Sequence, residues 1–273
     1  MTAPPKIASK DLEKMIELPY SIAGFVVGAI VGLTGVGGGS LMTPLLVLVF
    51  GVAPVTAVGT DLLYAGLTKV GGSVSHALKG HVDWRVTGLL AAGSIPATAF
   101  AIFLLSILPP AGATTRLVVS TSLGAMLVLT ALALAFRSKL LAWAEKNAGH
   151  GWIAAHRGFA TILTGAFIGF AVTFSSVGAG AVGVTALVLL YPALATVRIV
   201  GSDIAHAVPI TLLAGLGHLA LGNVNGWLLA SLLIGSIPGI LVGSHLASRL
   251  PERIVRHSLV AVLLLAGTKL VLH

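Results

Sequence analysis

The sequence predicts an all-α polytopic membrane protein made of two homologous halves. Hydrophobic residues make up 56% of the 273 residues, charged residues make up 9%, and the mean hydropathy is +1.04. A soluble domain carries roughly 25% charged residues to solvate its surface, so lipid must surround much of this chain. A sheet is excluded, because open edges are unsatisfied in hydrocarbon and the apolar run 127–134 lacks the alternation of a barrel strand.

The second observation is an internal repeat whose offset is 142 residues, the separation of Asp61 and Asp203. Four motifs of the first half recur in the same order: Gly59-Thr60-Asp61 as Gly201-Ser202-Asp203, His76 as His218, Gly80-His81-Val82-Asp83 as Gly222-Asn223-Val224-Asn225, and Gly93-Ser94-Ile95-Pro96 as Gly235-Ser236-Ile237-Pro238. Duplicated apolar units of this kind are typical of secondary transporters.

The apolar runs predict the elements in chain order. Residues 1–18 predict a short interfacial helix or a disordered segment. Each half opens with a stretch, 19–50 or 159–190, that glycine and hydroxyl residues interrupt, and we expect two short helices there, joined as a hairpin that need not cross the membrane. Three spans of about 20 residues then follow in each half: 58–78, 86–108 and 115–136, and again 199–220, 227–248 and 255–272. The domains are therefore a first transmembrane repeat (19–136), a polar cytoplasmic linker (137–157) and a second transmembrane repeat (158–273).

Basic residues give the orientation. Ten Lys and Arg residues lie in four short segments, 79–85, 137–157, 192–198 and 249–256. The positive-inside rule places all four in the cytoplasm only if each half crosses an odd number of times, which makes the halves inverted repeats with both termini outside. The net charge of +8 then reports topology and predicts no nucleic-acid partner. Cysteine is absent, so thiolate metal sites are excluded, and we expect no metal and no cofactor.

The two glycine-rich breaks are the first candidate for a substrate site. An unwound helix frees N–H groups that bind anions together with the helix dipole, and nearby hydroxyls add donors. The residues proposed to bind substrate in the breaks are Thr34, Gly35, Gly37, Gly38, Gly39, Ser40, Ser175, Ser176, Gly178 and Gly180. The alternative is that these glycines only allow helices to pack closely.

Charged residues inside spans are the second candidate. Asp61 and Asp203 are costly in lipid, so they either take part in coupling, for example to protons, or lie at a helix N-terminus near the membrane boundary. Lys69 is the lysine deep in a span, and its counterpart in the second half is Thr211. We expect Lys69 to contact the anion or to pair with Asp61.

Three histidines complete the coupling or gating candidates. His76, His218 and His206 lie in or at the ends of predicted spans, and histidine titrates near neutral pH. The alternative for His76 and His218 is a hydrogen-bonded residue at a helix interface. His206 follows Asp203 by one turn and is expected to orient that carboxylate.

The ordered motifs resemble the TauE/SafE sulfite exporter family of membrane permeases. The residues that carry the resemblance are the stretch 34–46, Gly59-Thr60-Asp61 and Gly80-His81-Val82-Asp83-Trp84, and the second copy departs from the pattern at Ala179. The resemblance implies a secondary transporter of sulfite or organosulfonates such as sulfoacetate in a bacterial inner membrane. Its partners are then the small anion and the bilayer, and a homodimer is left open.

Alternating access by relative movement of the two halves is the expected mechanism. Two other classes stay open at this point. A passive anion channel would share the site but conduct without saturating. A membrane-embedded enzyme would use the buried Asp and His residues, although the chain has no HExxH motif, no cysteine and no G-x-S-x-G nucleophile elbow.

Overall fold

The computed structural model describes residues 17–34, 39–109, 112–146, 156–246 and 252–272, and the regular structure in these ranges is helical. The eleven helices are α1 (Leu18–Thr34), α2 (Gly39–Leu48), α3 (Pro54–Leu78), α4 (Trp84–Ile107), α5 (Ala113–Ala135), α6 (Arg137–Lys146), α7 (Arg157–Ser175), α8 (Ala181–Leu190), α9 (Thr196–Ala220), α10 (Gly226–Leu246) and α11 (Glu252–Leu272). Five of them, α4, α5, α7, α9 and α10, are long and apolar enough to cross a membrane. The prediction of an all-helical membrane protein is confirmed.

The opening stretch of each half is a pair of helices that folds back on itself. In the first pair, the Tyr20 ring at the start of α1 lies 4.8 Å from the Phe50 ring just after α2. In the second pair, Thr161 near the start of α7 shares a 2.8 Å hydrogen bond with the hydroxyl of Tyr191, which follows α8. Each pair therefore begins and ends at the same end of the bundle.

Two helix pairs are antiparallel, and each joins helices that correspond under the 142-residue offset. In α3 and α9, Gly59 lies against His218 while Gly201 lies against His76, so the start of each helix meets the end of the other. In α5 and α11, Gly124 contacts Val271 and Gly267 contacts Val128. Apolar side chains of both pairs fill the core of the bundle.

Two further pairs are parallel and pack through rows of glycine. In α1 and α10, Gly24 and Gly28 lie against the backbone of Leu232 and Ser236. In α4 and α7, Gly165 and Gly169 lie in the same way against Leu90 and Ser94. Small residues at this spacing let two backbones approach closely, which is how helices associate in lipid. Both pairs join a helix before residue 136 to one after residue 157.

The helix ends beside the basic segments meet at one end of the bundle. Asp83, before α4, forms a 3.6 Å ion pair with Arg198 in the first turn of α9. A Cβ at Gly158, at the start of α7, would lie 4.0 Å from Leu89 Cδ1 in α4. The segment 137–157, predicted as a polar linker, begins with helix α6, and the interfacial segment predicted over 1–18 lies largely outside the described residues.

Candidate functional site

The two repeated aspartates lie inside their helices and face the centre of the bundle. Asp61 is the eighth residue of α3, Asp203 is the eighth residue of α9, and their exposed fractions are 0% and 2%. The helix-boundary alternative for these carboxylates is therefore wrong. The helix α3 begins seven residues earlier, at Pro54, because proline fits the first helical position and lacks only an N–H that would be unsatisfied there.

The residues before Asp61 hold the loop that precedes α10. Gly59 leaves room for the carbonyl oxygen of Asn223, since a Cβ there would lie 2.5 Å from it. Thr60 Oγ1 accepts a 3.1 Å hydrogen bond from Asn225 N–H, and the Asn225 side chain in turn caps α10. We call this arrangement the first clasp.

The second clasp repeats these contacts with the partners exchanged. A Cβ at Gly201 would lie 2.3 Å from the His81 carbonyl oxygen, and Ser202 Oγ accepts a 2.8 Å hydrogen bond from Asp83 N–H. Asp83 caps α4 through Arg85 N–H and Val86 N–H, both at 3.2 Å. In each clasp, the Gly-Thr/Ser motif of one half contacts the Gly-His/Asn-Val-Asp/Asn motif of the other half. This mutual contact explains why both motifs occur twice in the sequence.

Asp61 is enclosed by hydroxyl groups. Its Oδ2 accepts a hydrogen bond from Thr43 Oγ1 of α2, and Ser176 Oγ, at the end of α7, faces the same carboxylate. Asp61 Oδ1 and Ser176 Oγ are buried, and neither has a hydrogen-bond partner among the described residues. The carboxylate thus keeps an oxygen for a further ligand.

Asp203 has different surroundings. Its Oδ1 lies so close to Gly183 in α8 that a Cβ there would be 2.0 Å from it, and this oxygen has no hydrogen-bond partner in the described part of the chain. Asp203 also lines a central cavity of about 280 Å³, whereas Asp61 does not. The other lining residues are Val31, Thr68, Lys69, Gly72, Leu134, Arg137, Gly180, Ala181, Val184, Thr185, Val200, Ile204 and Ile240.

Lys69 reaches across this cavity to the second break. Its Nζ donates a 3.3 Å hydrogen bond to the carbonyl oxygen of Ala179. Its charge is attracted by Asp203 and, more weakly, by Asp61, but no ion pair within 4.0 Å joins it to either among the described residues. The cavity therefore offers an ammonium group beside a helix break.

The second break is described and the first is not. Ser176 ends α7 in the left-handed region at φ 57°, and Gly178 and Gly180 adopt φ 127° and 135°, which only glycine tolerates well. Ser175 Oγ donates to the carbonyl oxygens of Ala171 and Val177 and so stabilises the end of α7. Gly35, Gly37 and Gly38 lie outside the described residues. Thr34 and Gly39 end α1 and begin α2, and Ser40 is buried.

The histidines serve as packing partners within the bundle. His206 Nε2 hydrogen-bonds Ser94 Oγ at 2.8 Å, so its polar partner is α4 and not Asp203 as expected. His218 Nε2 donates to the Thr173 carbonyl oxygen at 3.0 Å. His76 is half-buried at the end of α3, and its ring lies 5.6 Å from that of His81. Within the described ranges, no three His, Asp or Glu side chains converge as metal ligands.

Sequence reasoning missed Thr43, Gly183 and Tyr64. Thr43 and Gly183 lie shortly after the two breaks, so their distance from the breaks is a signal that could have found them. Tyr64 corresponds to His206 under the offset, and its hydroxyl faces Ser236, the counterpart of Ser94. The repeat relates the pair Tyr64 and Ser236 to the pair His206 and Ser94, so either contact, once known, predicts the other.

The chain is similar to known membrane transporters. The family model described as "Sulfite exporter TauE/SafE" matches residues 20–270. A probable membrane transporter protein of Bacillus subtilis (strain 168), YjnA, is 38% identical over 92% of this chain and 98% of its own length. A second from the same organism, YdhB, is 26% identical over 89% of this chain and 95% of its own length. No solved structure matches the chain.

Proposed function

Since the chain belongs to the TauE/SafE sulfite exporter family of membrane transporters, we propose that it carries a small sulfur-containing anion across the bacterial inner membrane. The substrate is sulfite or a small organosulfonate such as sulfoacetate, and the mechanism is alternating access. The family and the relatives are transporters and not enzymes, so the enzyme alternative is set aside.

The observation that carries this proposal is the central cavity. It brings the Lys69 ammonium group, the Thr68 and Thr185 side chains and the start of α8 to one place inside an apolar bundle. A volume of about 280 Å³ lies at the lower end of the range for small-molecule sites. An anion with three oxygens fits one cation and the N–H groups at the start of a helix. The Thr68 and Thr185 hydroxyls donate to carbonyl oxygens of their own helices, Tyr64 and Ala181.

The cavity opens at one end of the bundle, and the position of this opening supports a site that is exposed to one side of the membrane at a time. The cavity is lined by Gly72 near the end of α3, by Arg137 after α5 and by Val200 near the start of α9, and Gly72 is exposed. Beyond Asp203 and Lys69, residues 57–66 of α3 are buried and close the other side. A carrier closed on one side agrees with this arrangement better than a continuous channel. Because the open end is the basic end of the bundle, we assign it to the cytoplasm.

We further propose that residues 19–136 and 158–273 are inverted repeats. Corresponding helices α3 and α9 are antiparallel, and so are α5 and α11. The two opening hairpins begin at opposite ends of the bundle, since α1 starts beside the start of α10 and α7 starts beside the start of α4. We count α3, α4 and α5 as the crossings of the first half and α9, α10 and α11 as those of the second, with each opening hairpin returning to the side where it began. The helices α3 and α11, which are less apolar than the other four, are long enough to span at 25 and 21 residues. Three crossings in each half is the odd number that the charge distribution requires.

The parallel glycine-packed pairs change which parts are expected to move. The pair α1 and α10 and the pair α4 and α7 each contain one helix from each half. Backbone contacts as close as those at Gly28 and Gly169 do not separate easily. We therefore propose that the moving units are these mixed pairs with their neighbours, and not the two halves as sequence units.

Uptake into proteoliposomes tests the proposal. Labelled sulfite, sulfoacetate and sulfate are each supplied to vesicles that contain the purified protein, with protein-free vesicles as the control. We expect saturable uptake of sulfite or sulfoacetate and counterflow when the same anion is loaded inside. Flux that rises linearly with concentration indicates a channel, and no flux of any of the three anions contradicts the substrate assignment.

A further inference from the structure

We propose that Asp61, together with the hydroxyls of Thr43 and Ser176, binds a small monovalent cation, H⁺ or Na⁺, that is transported with the anion. This inference rests on the proposed function and assigns the coupling ion to one of the two repeated carboxylates. Asp203, its counterpart, belongs to the cavity that takes the anion.

The first reason is the unsatisfied oxygens around Asp61. The carboxylate is 0% exposed, and among the described residues only Oδ2 has a hydrogen-bond donor, Thr43. Ser176 is 6% exposed, and its Oγ faces the carboxylate with no hydrogen-bond partner in the part of the chain that the structure describes. Buried carboxylate and hydroxyl oxygens without partners cost free energy, and a cation between them removes that cost.

The second reason is the end of α7. Ser176 follows the last residue of α7, so the carbonyl end of that helix lies beside Asp61. The C-terminal end of a helix carries a partial negative charge, which favours a positive ligand. Unwound carbonyl ends of broken helices are where membrane transporters bind Na⁺ or H⁺.

The third reason is the lack of a matched positive charge. Among the described residues, the ionisable groups that interact with Asp61 are Lys69 and Tyr64 of its own helix. On α9, His218 packs against Gly59, and Asp203 interacts with Lys69. Lys69 donates to Ala179 and is attracted more strongly by Asp203. Helix α2 has no ionisable residue, and the ionisable residues of α5, α7 and α10 lie at helix ends: Arg116, Arg157 and His245.

Asp203 lacks this environment. It packs against Gly183 and lines the cavity with Lys69, and no hydroxyl donates to it among the described residues. Aspartate-to-asparagine changes at the two positions therefore form a matched pair, because both side chains are buried at the same place in corresponding helices.

The experiment measures sulfoacetate uptake into proteoliposomes under three conditions: no ion gradient, an inward pH gradient without Na⁺, and an inward Na⁺ gradient at equal pH. For the unmodified protein we expect one gradient to increase uptake several-fold, which identifies the cation. In Asp61→Asn the ratio of gradient-driven to gradient-free uptake should fall close to one. In Asp203→Asn the ratio should persist even where the absolute rate falls. The inference is overturned if Asp61→Asn keeps the ratio or if Asp203→Asn is the variant that loses it.

Two further measurements keep the test decisive. Ser176→Ala leaves the carboxylate in place, and it should raise the cation concentration for half-maximal stimulation several-fold; an unchanged value contradicts the site. Thermal unfolding in detergent with NaCl against choline chloride, and across pH, detects cation binding without any anion. Counterflow without stimulation by either gradient leaves the proposed function standing and refutes the cation site. If a cation binds in a manner that depends on Asp61 but no anion is transported, the cation site stands and the proposed function is refuted.

Discussion

The frame of the bundle, which consists of the two clasps and the two parallel helix pairs, has equivalent contacts in both halves. The surroundings of the two aspartates at its centre differ. In the frame, the two clasps make the same hydrogen bonds at Thr60 and Ser202 with partners exchanged, and both parallel helix pairs pack through glycine. At the centre, Asp61 accepts from Thr43 while Asp203 packs against Gly183. Where counterparts have the same contacts, we assign them a structural role. Where their contacts differ, we propose one site for the anion and another for a cation.

The largest effect is expected from the glycine rows of the frame, and it should be equal in both halves. Gly93→Ala places a Cβ 1.9 Å from the Ile162 carbonyl oxygen, and Gly235→Ala places one 1.8 Å from that of Ser21. Relieving such overlap costs about 1–3 kcal/mol or more, because two backbones must separate. The yield of monodisperse protein and the unfolding temperature in detergent measure this. Gly88→Ala, with no heavy atom within 4 Å of its Cβ, is the control. Unequal losses at Gly93 and Gly235 would contradict the equivalence of the two pairs.

The next effect is expected at Lys69 and should be confined to one half. Lys69→Met removes the ammonium group from the cavity, and a lost hydrogen bond to a charged group corresponds to roughly 10- to 100-fold in transport rate. Its counterpart Thr211 donates to the Ala207 carbonyl oxygen of its own helix, so Thr211→Val should change the rate little. Initial rates of sulfite uptake at matched protein content give the comparison. Equal losses in both variants would show that this position is structural.

A smaller effect is expected from Gly183→Ala. The added methyl group displaces the Asp203 carboxylate from α8 within the cavity that holds Lys69. Because this carboxylate repels an anion and competes with it for Lys69, we expect about tenfold lower affinity for the anion, which corresponds to about 1.4 kcal/mol. The half-saturation concentration for uptake measures this loss. Gly71→Ala, whose Cβ meets nothing within 4 Å, is the control. If Gly183→Ala has the half-saturation concentration of the unmodified protein, Asp203 does not belong to the anion site.

The smallest effect is expected from the clasps, again equally in the two halves. Thr60→Val and Ser202→Ala each remove one acceptor for a backbone N–H, and the cost is about 1 kcal/mol. Thermal unfolding should report similar decreases, while the half-saturation concentration stays unchanged. A change in substrate affinity in either variant would mean that the clasps take part in transport.

Local sequence patterns predict the helices well because apolar length alone determines them. The span predicted over 199–220 is observed as Thr196–Ala220, and both opening stretches form the expected helix pairs. The contacts of the site could not be predicted in this way, since His206 meets Ser94 across 112 residues of chain and Asp203 meets a glycine without a side chain. The span predicted over 58–78 begins earlier in the structure, at Pro54, because proline suits the first position of a helix.

The pairing of α1 with α10 determines how late in synthesis the helix packing of the bundle can be completed. Ser21 donates to the carbonyl oxygen of Ser231, 210 residues further along the chain, and the glycine rows of the two helices interlock there. When α1 leaves the ribosome, its partner has not been translated, so the nascent helix waits in the bilayer with its glycine face uncovered. Contacts of such sequence separation form late and slowly. Because α1 packs on α10 and α4 packs on α7, the glycine faces of α1 and α4 stay uncovered until their partners have been synthesised.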